Sequence, residues 1–160
     1  AEKNDYPMQV LKAVEEVNEA QKEILFKKLN KYYNGDLEGK TVAIWGLAFK
    51  PETDDMREAT ALLTINLLLE AGCKVQVYDP AAMDECRRRI GNVVIYATDM
   101  YDAALNADAL LLLTEWKQFR LPSWGVLQKS MNKTLIIDGR NIYDAQEMKN
   151  LGFEYSCIGR

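Results

Sequence analysis

Residues 40–58 read KTVAIWGLAFKPETDDMRE, a strand running into a crowded turn ahead of a helix. Thr41–Trp45 is apolar without alternation, the pattern of a strand buried on both faces. A lone glycine, Gly46, follows it, then Phe49-Lys50, Pro51, two adjacent aspartates and Arg57. From about Met56 the pattern turns helical, and Ala59–Ala71 is an apolar helix stopped by Gly72. Asp55-Met-Arg-Glu58 resembles a capping box, which would place two acids at the helix start and repel an anion there. One strand, one crowded turn and one helix make a βα unit, and the rest of the chain repeats that unit.

Downstream, strands are expected at Lys74–Tyr78, Val93–Tyr96, Ala109–Thr114, Thr134–Ile137 and Glu154–Cys157. Helices are expected at Met83–Ile90, Tyr101–Asn106, Ser123–Met131 and Ala145–Asn150. LLLLT (110–114) and LIID (135–138) are again continuous apolar runs. The implied fold is α/β: a doubly wound, mainly parallel, Rossmann-like sheet of about six strands, preceded by a long helix. That helix spans Tyr6 to Leu29, with Val10, Val14, Val17, Ala20 and Ile24 on one stripe. At about 24 residues it would reach roughly 36 Å, long for one small domain. It either packs on the core or serves as a linker or dimer helix. NKYYNGDLEGK (30–40) reads as a linker, dividing the chain into 1–35 and 36–160.

Composition excludes several classes. The 160 residues are 48% hydrophobic and 28% charged, ordinary for a soluble globular domain. With 20 basic and 24 acidic side chains the net charge is −4, against general nucleic-acid or anionic-membrane binding. No apolar run approaches the roughly 20 residues of a membrane span. Cys73, Cys86 and Cys157 are scattered without a CxxC, which points to a reducing, cytoplasmic setting and away from disulfides or zinc. Histidine is absent, removing the commonest base and metal ligand. The chain opens on Ala1 rather than Met, as expected of a processed protein or a piece of a longer one.

Ligands of open parallel sheets sit beyond the carboxyl ends of the strands. There the sequence places Gly46-Leu-Ala-Phe49-Lys50, Asp79-Pro80, Thr114-Glu115-Trp116-Lys117 and Asp138-Gly139-Arg140-Asn141. A dinucleotide site using Asp79 for a ribose lacks its glycines: Gly46 is alone, with Ala48 and Pro51 where the motif has its other two. An anion site built from side chains remains. Lys50 offers a mobile charge, Arg140 a planar donor fork from the neighbouring strand end, and Phe49 an apolar face for a sugar or base. The same cations equally suit surface pairs with Asp54, Asp55 or Asp138. TEW (114–116) either lines the cleft or caps the next helix. No catalytic residue stands out: the cysteines lie on strands or a helix, and Asp138 has no evident partner as a base.

Gly46-Leu-Ala-Phe-Lys50-Pro-Glu-Thr-Asp-Asp55-Met-Arg57-Glu58, followed in order by VYDP (77–80), TEW (114–116) and DGRNIYD (138–144), resembles the C-terminal, UDP-binding domain of the UDP-glucose/GDP-mannose dehydrogenase family. The resemblance covers nearly the whole chain, the first helix being similar to the end of the family's long connecting helix. It implies an NAD-dependent, two-step oxidation of a sugar C6 alcohol to a carboxylate, through a cysteine thiohemiacetal and thioester. It assigns Phe49, Lys50 and Arg140 to the UDP-sugar substrate and Arg57 to the NAD pyrophosphate. The family's glycine-rich NAD domain and nucleophilic cysteine have no counterpart here, so this chain alone is expected to be inactive. Ala59-Thr60 stands where Ser-Pro is common in the family. A homodimer or higher homo-oligomer is expected, without nucleic acid, membrane or metal. The competing expectations are an assembly module with the first helix as its dimer surface, the corresponding domain of a family member acting on UDP-N-acetylmannosamine or GDP-mannose, and a self-standing dinucleotide binder using Asp79.

Overall fold

The five strand ends that carry the polar loops fall in one row. In the computed structural model, which describes residues 21–159, Trp45 lies opposite Tyr78 on one side and Leu112 on the other. Leu112 is opposite Asp138, and Asp138 opposite Cys157. Every loop leaving this row emerges on the same edge of the sheet.

The strands are β1 (Thr41–Trp45), β2 (Lys74–Tyr78), β3 (Ile95–Tyr96), β4 (Ala109–Leu112), β5 (Leu135–Asp138) and β6 (Glu154–Cys157). All pairs are parallel, in the order β3-β2-β1-β4-β5-β6. This doubly wound arrangement reverses direction between β1 and β4. Central β4 and β5 are buried throughout, while β2 alternates, because a strand covered on both faces has no residue to leave wet. Arg140 follows β5, which β4 separates from β1, so it does not come from the neighbouring strand end as expected.

Strand side chains alternate between two cores. Val42, Ile44, Val75, Val77, Leu111 and Ile137 pack with helices α1 (Ile24–Tyr32), α2 (Thr60–Glu70) and α3 (Met83–Ile90). Ala43, Trp45, Leu110, Leu112 and Ile136 pack with α4 (Met100–Ala104), α5 (Trp124–Ser130) and α6 (Ala145–Asn150). Phe119, on a short 3-10 turn, stacks on Trp45 with ring centroids 5.0 Å apart and closes the second core near the strand-end row.

Most of the expected first-helix stripe lies outside the described residues. Within them, α1 buries Leu25 and Leu29, leaving Ile24 half-buried. The stretch read as a linker is tied down instead. Leu37 is buried in the first core, the Tyr33 hydroxyl donates to the Asp108 carbonyl at 2.7 Å, and Gly39 donates to the Gly72 carbonyl at 2.9 Å. No helix among the described residues is long and apolar enough to cross a membrane.

The largest local departure is the start of α2, at Thr60 rather than Met56. The expected capping box does not form, because Asp55 turns to Arg57, two residues on. It accepts from the Arg57 amide at 2.9 Å and from its guanidinium at 2.8–3.2 Å. Glu58 then takes φ +61°, which breaks any helix there. Consequently α2 begins after Ala59 with no side-chain cap and no acid in its first turn. The acids expected to guard that helix start stand in the loop before it.

Candidate functional site

Gly46 leaves β1 at φ +97°, and a Cβ there would meet the Thr114 backbone nitrogen and Cβ at 2.5 Å. Only glycine combines that conformation with that approach. The direction-reversal point between β1 and β4, where a doubly wound sheet ordinarily opens a crevice, is therefore closed by direct contact. Beyond it Leu47 and Ala48 turn inward, and Met56 plugs the core at the far end of the loop. Between these anchors, the Phe49 amide donates to the Asp55 carbonyl at 3.0 Å and closes a short exposed excursion.

Two buried aspartates organise the neighbouring turns. Asp79, at the end of β2, accepts from the amides of Leu47, Ala48, Ala81 and Ala82 at 2.7–3.1 Å and from the Trp116 indole at 3.2 Å. It is 1% exposed, so no face of the carboxylate is left for a ribose. Asp138, at the end of β5, accepts from the amides of Arg140, Ile142 and Tyr143 at 2.8–3.1 Å and from the Tyr155 hydroxyl at 2.7 Å. Neither acid is placed to move a proton; both are loop anchors. Burial, and then the contact with the Asp138 carboxylate, push the Tyr155 phenol up.

Sequence reasoning left TEW open, and it proves to be the hub. The Thr114 hydroxyl donates to the Ala48 carbonyl at 2.5 Å, Glu115 pairs with Arg140, and the Trp116 indole reaches Asp79. Three successive residues thus hold the loops of β1, β5 and β2. TEW neither caps the next helix nor simply lines a cleft. A polar residue ending the run of four leucines was the available signal, but the partners of Thr114 and Glu115 lie 66 and 25 positions away in sequence.

The expected site residues are distributed as follows. Phe49 is 42% exposed, and the Lys50 ammonium sits 5.2 Å from its ring centroid. Lys50 makes no hydrogen bond or ion pair among the described residues. Arg57 is largely exposed and paired with Asp55, whose carboxyl it holds down at about 2. Arg140 is 44% exposed in its side chain and lines a cavity of about 200 Å³ together with Lys22, Leu25, Thr60, Leu113 and Ile158. Phe49, Lys50 and Arg57 do not line that cavity; they stand on the loop that leads to Thr60. Arg57 thus makes the surface pair expected with Asp55, and Arg140 pairs with Glu115 rather than with an expected acid. No such pair forms at Lys50 among the described residues.

Cys73, Cys86 and Cys157 are all buried. Burial pushes the Cys73 thiol up to about 11 and raises that of Cys86, keeping both protonated at neutral pH.

The sequence profile described as the UDP-glucose/GDP-mannose dehydrogenase family, UDP binding domain, matches residues 43–145. The chain belongs to this family. Its match runs from β1 to the first residue of α6 and so takes in Phe49, Lys50, Arg57, the TEW hub and Arg140. The UDP-glucose 6-dehydrogenase of Pseudomonas aeruginosa is 46% identical over 100% of this chain and 36% of its own length. The UDP-glucose 6-dehydrogenase TuaD of Bacillus subtilis is 39% identical over 97% of this chain and 33% of its own. Among solved structures, a UDP-glucose dehydrogenase from Pyrobaculum islandicum superposes with a TM-score of 0.77 at 33% identity, covering 93% of this chain and 32% of that one. The chain thus spans about a third of the length of these dehydrogenase relatives.

Proposed function

We propose that this chain is the nucleotide-sugar-binding domain of an NAD-dependent UDP-glucose 6-dehydrogenase, which oxidises UDP-glucose to UDP-glucuronate in two steps. The observation that carries this reading is the pair of loops either side of β4. One presents Phe49 and the unpaired Lys50, the other the half-exposed Arg140 beside a cavity of mixed polar and apolar lining. A cavity of about 200 Å³ is smaller than the roughly 300–1,000 Å³ of a complete small-molecule site. That size suits one part of a nucleotide sugar, with the remainder covered by another domain. In this reading Phe49 packs against the substrate, while Lys50 and Arg140 neutralise its diphosphate.

NAD, when bound, takes up the electrons of the oxidation. This chain cannot hold it alone: Asp79 is committed to five donors, and the turn after β1 has a single glycine closed against Thr114. Arg57 fits as an exposed guanidinium on the β1 loop, open to a pyrophosphate held elsewhere. Its pairing with Asp55 fixes the loop without covering the guanidinium. The chain's three cysteines are buried and none is offered to the site as a nucleophile. We place the working enzyme in the cytoplasm as a homo-oligomer.

Calorimetric titration of the chain with UDP, GDP and NAD tests the reading. UDP binding that exceeds GDP and NAD is expected; no binding of UDP overturns autonomous nucleotide recognition and leaves a scaffold role. Mixed with UDP-glucose and NAD, the chain is expected to generate no NADH. Turnover would overturn the division of labour proposed here.

A further inference from the structure

Arg140 is held on one edge only. A guanidinium has two edges able to grip an anion, one through Nε and a terminal nitrogen, the other through the two terminal nitrogens. Glu115 occupies the first: its Oε2 is in ion contact with Arg140 Nε, and its Oε1 accepts from a terminal nitrogen at 3.3 Å. The other terminal nitrogen has no partner among the described residues, and the side chain is 44% exposed beside the cavity.

Glu115 is itself unusually constrained. Its neighbours on both sides are buried and bonded, Thr114 to the Ala48 carbonyl and Trp116 to Asp79. Its Oε2 is buried and accepts no hydrogen bond, so the contact with Arg140 is what offsets its desolvation. A buried carboxylate oxygen with one cationic neighbour resists losing it. An anion arriving at the cavity is therefore met by a fork already fixed in orientation.

We propose that Glu115 is a positioning residue: it holds Arg140 by its Nε edge so that the opposite edge faces the diphosphate of the nucleotide ligand. This rests on the nucleotide reading of the site. Glu115 touches no ligand in this scheme and acts through Arg140 alone. Holding the fork in advance lowers the ordering cost of binding.

The test uses the chain with UDP as probe. Glu115→Ala should weaken UDP binding by about tenfold, the scale of one charge-assisted hydrogen bond. Glu115→Gln, which keeps an acceptor, should recover part of that loss. In an Arg140→Lys background, Glu115→Ala should change UDP affinity by less than about twofold, because the fork it positions is gone. The Arg140 Nε–H resonance, resolved in the wild type, should collapse into the free arginine envelope in Glu115→Ala without ligand. A merely structural role would lower the melting temperature and leave the coupling with Arg140 absent. Unchanged or tighter UDP binding in Glu115→Ala overturns the positioning role while the nucleotide reading stands. An Arg140 resonance held by Glu115 in a wild type that does not bind UDP overturns both.

Discussion

The ends of β2 and β5 are built on the same device and put it to different uses. Each terminates in a buried aspartate that gathers the amides of its own turn. At β2, Asp79 goes further: one oxygen holds its own turn while the other draws in Leu47, Ala48 and Trp116 and closes the β1 loop over the sheet. At β5, Asp138 gathers the amides of Arg140, Ile142 and Tyr143, and the loop it braces carries Arg140 outward. An acid at a strand end is therefore no guide to chemistry by itself. What matters is whether the turn it stabilises faces inward or presents a side chain.

Asp79→Ala should show the largest effect. It leaves the Leu47 and Ala48 amides and the Trp116 indole without their acceptor, at about 3–5 kcal/mol in urea unfolding. A loss under about 1 kcal/mol would mean that the β1 loop is held by packing alone. Gly46→Ala should follow at about 2–4 kcal/mol, since the new Cβ meets Thr114 backbone at 2.5 Å in a positive-φ conformation. On the β5 side the comparison inverts. Arg140→Ala should cost about 1–2 kcal/mol, through the buried Glu115 oxygen it leaves unpaired, and weaken UDP binding by about tenfold or more, read by calorimetry.

Arg57→Ala gives the smallest effect and the cleanest titration. Arg57 holds the Asp55 carboxyl at about 2, below the ordinary 3.8. A depressed carboxyl contributes stability that is complete above the unfolded value and fades as the pH falls through about 2. In Arg57→Ala the Asp55 carboxyl should titrate above about 2 by NMR but stay below the ordinary 3.8, since the amide of residue 57 still donates to it, with little change in folding at neutral pH.

The strands were legible because burial on both faces leaves a mark in consecutive residues: TVAIW, ALLL and LIID carry their environment in their composition. The start of α2 was not, because Asp55 to Glu58 has the spacing of a capping box, and the turn of Asp55 to Arg57 with Glu58 at positive φ decides otherwise. Asp79 was misleading for the opposite reason: three of its five donors come from Leu47, Ala48 and Trp116, brought close only by the folded sheet. Phe49, Lys50 and Arg140 could be named as a group from their places after strands. The ion pair with Glu115 could not, since sequence says which strand a cation follows and not which acid lies across the gap.

The tripeptide Thr114–Trp116 has a consequence for how such a chain can vary in length. The loops after β1, β2 and β5 are each anchored to it at separate points, so residues gained between anchors, as in the exposed 49–55 excursion, can be taken up locally. The tripeptide has no such freedom. One residue inserted or lost there would misalign all three attachments at once, turning a one-codon change into the loss of a whole rim.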